Sequence, residues 1–256
     1  MKPTHKPIHV LFLLLAAGFP LLAAAASSQL DRPAGELDLN LPTLSDAERL
    51  ETILARFDQA QISIQTLTAD FSERKELAML KEPVESEGHF FYASPHQAKW
   101  AHQAPDERII LISDNTLMQY YPDRNVLEKK KLSTANTKRL FKLFGMGQSS
   151  RELKALYDIS LGEAQEGESV YLLVLSPRRK ALRKRLSRVL LWVGDQDFLP
   201  HAMRLEEPNG DFTYWAFQNL KINAELAANT FRLDLADDVE VRDEFKLFSS
   251  SKDSSR

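Results

Sequence analysis

The side chains able to carry chemistry are few, and they do not converge. Of six histidines, His5 and His9 lie in the first ten residues. His89, His96, His102 and His201 remain, and no pair has the spacing of HExxH or another metal-ligand motif. Isolated strand histidines are ordinarily solvated or hydrogen-bonded. Ser72-Glu73-Arg74-Lys75 fits the SxxK pattern of a serine nucleophile with a lysine base, but its SDN and KTG partners are absent, and Lys75 is expected among solvent-facing charges. Gly145-Met146-Gly147 lacks the third glycine and the preceding strand of a dinucleotide site, and no GxSxG elbow or P-loop occurs. Asp237-Asp238 reads as a solvated loop. Zero cysteines exclude thiol catalysis, disulfides, thiolate metal sites and thioether lipid attachment, and nine glycines leave little room for phosphate-cradling loops. The expectation is a protein that is not an enzyme and holds no metal or cofactor.

The elements that would position a site begin after an export signal. Lys2 and Lys6 precede an apolar run from Ile8 to Leu22, which is followed by Ala23 to Ala26 and two serines. A basic start, a short apolar centre and an Ala-x-Ala ending predict a secretory signal over 1–26, and Pro20 interrupts the run a membrane anchor would need. Loss of two lysines and no acid takes the formal net charge from −3 to −5, which gives nucleic acid no global attraction. With 43% hydrophobic and 27% charged residues the chain can build a core, so wholesale disorder is excluded. Residues 27–44 read as an exposed leader, 45–247 as the folded domain and 248–256 as a disordered tail.

Ser45-Asp46-Ala47-Glu48 is a capping box, and Leu50, Ile53, Leu54, Phe57 and Ile64 follow it as one apolar helical stripe. From Leu67 the period changes to two. Short apolar or aromatic strands then recur about every ten residues, with turns at Asp114-Asn115 and 122–125. Helical spacing returns at 137–144, with Gly145 as a stop, and a second capping box at Ser149–Glu152 opens a short helix. Strands resume with YDISL, SVYLLVLS, RVLLWV, PHAMRLEE and DFTYWAFQNL, and a last one is expected near TFRLDL. Nothing alternates as βαβ, so the predicted fold is mainly β: a large antiparallel sheet curled toward a barrel, with helices over its open mouth.

Two features point to binding. The strands at 170–175, 189–193 and 212–217 are bulky on both faces, so water should be excluded from both sides. Either a helix packs on one side and a filled core on the other, or the concave face lines a lipid cavity. Arg178, Arg179, Lys180, Arg183, Lys184, Arg185 and Arg188 form a basic run in an acidic protein. It is either a solvated hairpin or a docking site for anionic headgroups or an acidic partner.

The segments LTADFSERKELAMLKEPVESEGHFFYASPHQAKWAHQAPDERIILISDNTLMQYYPDRN and NTKRLFKLFGMGQSSRELKALYDIS carry a resemblance. In order and spacing they are similar to the periplasmic outer-membrane lipoprotein carriers, the LolA-like proteins, over about Leu50 to Val241. The resemblance implies an unclosed antiparallel half-barrel with helices plugging a hydrophobic cavity. It also implies a monomeric carrier of acylated lipoprotein or other lipid, served by an inner-membrane transporter and an outer-membrane acceptor. The acceptor is itself a lipoprotein that needs a cysteine, so this chain resembles the soluble carrier. The family's better-known members have an arginine before the proline of the aromatic strand, which clamps the lid helices. Here that position is Ser94, and this departure together with MLKEPVESEG and the basic run implies a divergent branch with other lipid cargo. The expected cavity and lid residues are Leu54, Phe57, Phe71, Phe90, Tyr92, Trp100, Leu140, Phe144, Trp192, Met203 and Tyr214. A lipid- or lipoprotein-sensing regulatory protein on the same scaffold is the rival reading.

Overall fold

In the computed structural model, residues 44–103, 107–143, 149–164 and 169–243 are described. The predicted signal, nearly all of the leader, the tail, Phe144 and Gly145 lie outside them. Ser45 caps the first helix, α1 (Asp46–Ile62), by the reciprocal box the sequence predicts: its hydroxyl accepts from Glu48 N–H, and the Glu48 carboxylate accepts from Ser45 N–H. Ile53, Leu54 and Phe57 make the buried stripe of α1.

Two meanders follow. The first comprises β1 (Thr66–Glu76), β2 (Val84–Ala93), β3 (Gln97–His102), β4 (Arg108–Ser113), β5 (Thr116–Tyr121) and β6 (Val126–Lys131). Asp114 and Asn115, at φ 49° and 55°, form the tight turn between β4 and β5, where a short polar side chain tolerates the left-handed region. After α2 (Thr134–Leu143) and α3 (Ser150–Leu156), the second meander comprises β7 (Tyr157–Leu161), β8 (Val170–Pro177), β9 (Arg188–Gly194), β10 (Pro200–Glu206) and β11 (Phe212–Ile222). A short helix, α4 (Lys180–Arg183), lies between β8 and β9. β11 returns to pair antiparallel with β1, its last partner being Leu67↔Ile222, and so joins the meanders. The result is one 12-stranded sheet, ordered β12-β6-β5-β4-β3-β2-β1-β11-β10-β9-β8-β7, in which the edge strands β7 and β12 (Glu240–Arg242) do not pair with each other. It is the unclosed half-barrel that the sequence predicts, with one parallel edge strand.

Strand parity divides the side chains. Leu67, Ala69 and Phe71 on β1, Phe90 and Tyr92 on β2, and Trp100 on β3 belong to one buried core with Leu191, Met203, Trp215 and Phe217 and with the undersides of α1, α2 and α3. This is the concave face. Gly88, the register partner of Phe71, admits that ring: a Cβ there would stand 2.8 Å from Phe71 Cζ and 2.2 Å from Ala101 O.

The other face is also buried at some positions of the first meander. Leu111, Tyr120 and Leu127 have convex parity and are nonetheless buried. Residues 223–239 must pass from the end of β11 to β12 at the far edge. Thr66 Oγ1, on the convex side, donates to Ala224 O at 2.6 Å, and Asn125 Nδ2 donates to Asp238 at the other end. This connection is thus fastened at one end to β1 and at the other beside β6. It also corrects the last predicted strand: Phe231, Leu233 and Leu235 alternate with exposed Arg232 and Asp234, but they pair with no strand. A period of two marks one-sided burial, which does not require pairing into a sheet.

Candidate functional site

Beneath the helices the concave face is apolar at the end where β1 starts. α1 and α3 are tied together over the second meander by two polar contacts. The Asp58 carboxylate accepts from Ser150 N–H and, at 2.7 Å, from Ser150 Oγ, and Lys154 Nζ reaches Glu51 at 2.7 Å. The predicted second capping box is corrected here: Ser149 occupies the N-cap of α3 but its side chain makes no capping bond, because Asp58 supplies the acceptor from another helix. Arg49 and Arg56 of α1 lie over the rings of Tyr171 and Phe198 at 5.8 Å and 5.2 Å. Over the first meander, Phe141 of α2 lies 6.3 Å from Tyr92 and 5.5 Å from His96, centroid to centroid. Burial raises the Tyr92 pKa.

Of the residues expected to line the concavity, Leu54, Phe57, Phe71, Phe90, Tyr92, Trp100 and Met203 are all buried in this core. Leu140 is within α2, but its side chain and all of Phe144 lie outside the described residues. Trp192 and Tyr214 point the other way, which corrects the expectation. Leu191 and Val193, and Thr213 and Trp215, take the concave side, while Trp192 and Tyr214 meet edge to face on the convex side, 5.7 Å apart. A strand that is aromatic at consecutive positions gives no parity signal. The expected dryness of both faces is likewise corrected: Leu172, Val174, Leu190, Trp192 and Tyr214 are only half-buried.

Ser94 is exposed in the β2–β3 turn, in a cis bond to Pro95, and its hydroxyl works against the rise that burial causes in the Tyr92 pKa. The basic run is a turn of helix rather than an open loop. Leu186 is buried beneath it, Arg178 reaches Asp158 at 2.7 Å, and Arg188 pairs with Glu206, so both ends of the run are neutralised. Arg179, Lys180, Arg183, Lys184 and Arg185 are exposed.

At the other end of the concave face stands a polar cluster that the pattern of residues along the chain does not announce. Glu73 and Lys75 follow Phe71 at the same parity. Both are buried, and they form an ion pair, which corrects the solvent-facing Lys75 of the SxxK motif. Arg108 Nη2 lies 3.4 Å from Glu73 and 3.3 Å from His102 Nδ1, and Ser86 Oγ lies 3.3 Å from the same histidine nitrogen. Burial first, and the charges of Arg108 and Lys75 next, hold the His102 pKa down to about 2, so the ring is neutral. Counting by twos from Leu67 would have placed Glu73 and Lys75 inside. Among the described residues no group of three His, Cys, Asp or Glu side chains is set to hold a metal, and no helix is long and apolar enough to cross a membrane.

Residues 62–234 match the family model of the outer membrane lipoprotein carrier protein LolA. An outer-membrane lipoprotein carrier protein of Cupriavidus pinatubonensis is 25% identical over 197 residues, 74% of this chain and 88% of that protein. One from Chromohalobacter salexigens is 22% identical over 195 residues, 76% of this chain and 85% of the relative. Among solved structures, a LolA superfamily protein of Nitrosomonas europaea aligns with a TM-score of 0.38 at 15% identity, covering 72% of this chain and 97% of its own.

Proposed function

The chain belongs to the outer membrane lipoprotein carrier family, and on that premise we propose that it is a periplasmic carrier that shelters the acyl chains of a lipoprotein or another lipid and shuttles them from the inner toward the outer membrane. The observation that carries this reading is the concave apolar face, roofed by α1 and α3, which are tied to each other, and by α2, whose Phe141 packs on the sheet. Burying an acyl chain gains about 0.8 kcal/mol per methylene. A sixteen-carbon chain therefore gains roughly 10 kcal/mol, enough to trap cargo if nothing opposed it. Opposition is built in, because the apolar floor is already covered by its own lid. Loading must displace α1, α2 or α3, and breaking their packing against the floor offsets part of the gain, so uptake and release stay nearly balanced. Energy for loading then comes from an inner-membrane transporter, and the cargo leaves to an outer-membrane acceptor. The exposed cations of α4 are the proposed docking site for one of these partners or for anionic headgroups.

Native mass spectrometry of the protein purified from its own envelope tests this. Co-purifying acylated species are the expected result. An empty chain tightly bound to another soluble protein would overturn the carrier and favour a sensor.

A further inference from the structure

The concave face is amphipathic along its strands. On β1 the inward residues run Leu67, Ala69, Phe71, Glu73, Lys75; on β3 they run Ala98, Trp100, His102; and on β4 they run Ile112, Ile110, Arg108. In register, the apolar members lie side by side at one end and the polar members at the other. Phe71 marks the border, with its ring 5.0 Å from that of His102 in an edge contact. On β5, Gln119 stands opposite Ile110 and beside the polar end. It is 2% exposed, and its Nε2 has no hydrogen-bond partner.

A core of this size needs no charges, and burying the Lys75 and Arg108 cations beside Glu73 is costly. An orphaned buried amide N–H adds a further cost. Donors therefore gather at the end of an apolar trough: the Lys75 ammonium, the Arg108 guanidinium and the Gln119 amide, with neutral His102 between strands. We propose that this end is a headgroup subsite, and that the cargo is an amphiphile whose anionic head, phosphate or carboxylate, reaches Lys75, Arg108 and Gln119 while its acyl chain lies along Phe71, Phe90 and Trp100. The guanidinium fork suits two oxygens of such a head, and the Gln119 amide gains the acceptor it lacks. This inference rests on the carrier reading and narrows it to an anionic lipid class.

Its test is displacement of a bound fluorescent fatty-acid analogue by tetradecyl phosphate, tetradecanoate, tetradecanol and inorganic phosphate, each below its aggregation limit. The two anionic amphiphiles are expected to bind at least tenfold tighter than the alcohol. Arg108→Gln and Lys75→Gln should lower them toward the alcohol's affinity, so that the ratio of anion to alcohol affinity falls toward one. Gln119→Leu should weaken the anionic ligands several-fold while raising the melting temperature of the empty protein, because it removes an unsatisfied buried group. A variant that fails to fold leaves the comparison on the parent protein decisive. Equal affinity for alcohol and anions overturns the headgroup subsite and leaves the carrier standing. No binding of any long-chain ligand overturns the carrier as well. Inorganic phosphate binding as tightly as tetradecyl phosphate overturns the amphiphile and leaves a free-anion site.

Discussion

The Asp58 carboxylate on α1 accepts both the backbone N–H and the hydroxyl of Ser150 at the first residue of α3, across 92 positions of sequence. One side chain thus caps a second helix and fastens two parts of the lid to each other. Asp58→Ala should cost about 1–2 kcal/mol, as lost charge-assisted caps do. Ligand exchange should quicken by a few-fold, because the lid opens more readily. Chemical denaturation and stopped-flow exchange measure the two effects, and an unchanged exchange rate with lowered stability would show that α1 and α3 do not move.

The two faces of the sheet make a parity test. Phe71→Asp and Trp100→Asp should abolish uptake of a fluorescent fatty acid, whereas Trp192→Asp and Tyr214→Asp should leave it within about twofold. Because an acid in the core also threatens the fold, Phe71→Ala serves as the milder partner, at a cost of about 3–5 kcal/mol. Uptake lost on the convex face and kept on the concave face would reverse the assignment.

Ser94 lies two residues after Tyr92, whose ring stands 6.3 Å from that of Phe141 on α2. A serine has one short donor, while an arginine has five in a rigid fork. Ser94→Arg should therefore hold α2 more firmly and slow transfer of a labelled acyl ligand to acceptor vesicles by several-fold, with its affinity for the protein equal or higher. Transfer at the parental rate would show that Ser94 does not reach the lid.

The exposed cations of α4 stand apart from the concave face. Reversing Arg183, Lys184 and Arg185 to Glu should weaken association with anionic vesicles or an acidic partner, with the loss largest at low salt, and leave fatty-acid uptake intact. Co-sedimentation across a salt series reads this out. Binding that persists at all salt concentrations removes the docking role.

His102 predicts an acid sensitivity. Its folded pKa, near 2, lies far below the ordinary value of 6.5. The unfolded chain therefore binds a proton that the folded one refuses, and the stabilisation, fully present above pH 6.5, is lost as pH falls toward 2. Between pH 6 and pH 5 the loss from this group is about 1 kcal/mol. Denaturation midpoints of the parent and His102→Gln should converge as the pH drops over that interval. Parallel curves would mean that Lys75, Arg108, Glu73 and Ser86 compensate for the proton.

Local signals in the sequence determined a good deal. Ser45 and Glu48 close a capping box within one turn, and Asp114-Asn115 sets a hairpin. The change of period after Ile64 separates helix from strand, and the absence of cysteine follows from residue types alone. All of these act over a few residues, where the chain's own geometry is the whole cause.

Only the tertiary structure decided which side of a strand is inside. At Trp192 and Tyr214 both neighbours are bulky, so the inward face was set by the partners across the sheet: Leu191 meets Met203, and Met203 meets Trp215. Long-range placement also left Phe231, Leu233 and Leu235 outside any strand, and let Asp58 cap a helix that Ser149 does not. The polar end of the concavity arises the same way, because Glu73, His102 and Arg108 sit on three strands and come together only in the assembled sheet. Their charges look like ordinary solvated surface along the chain, and burial by the assembled sheet and lid turns them into a site.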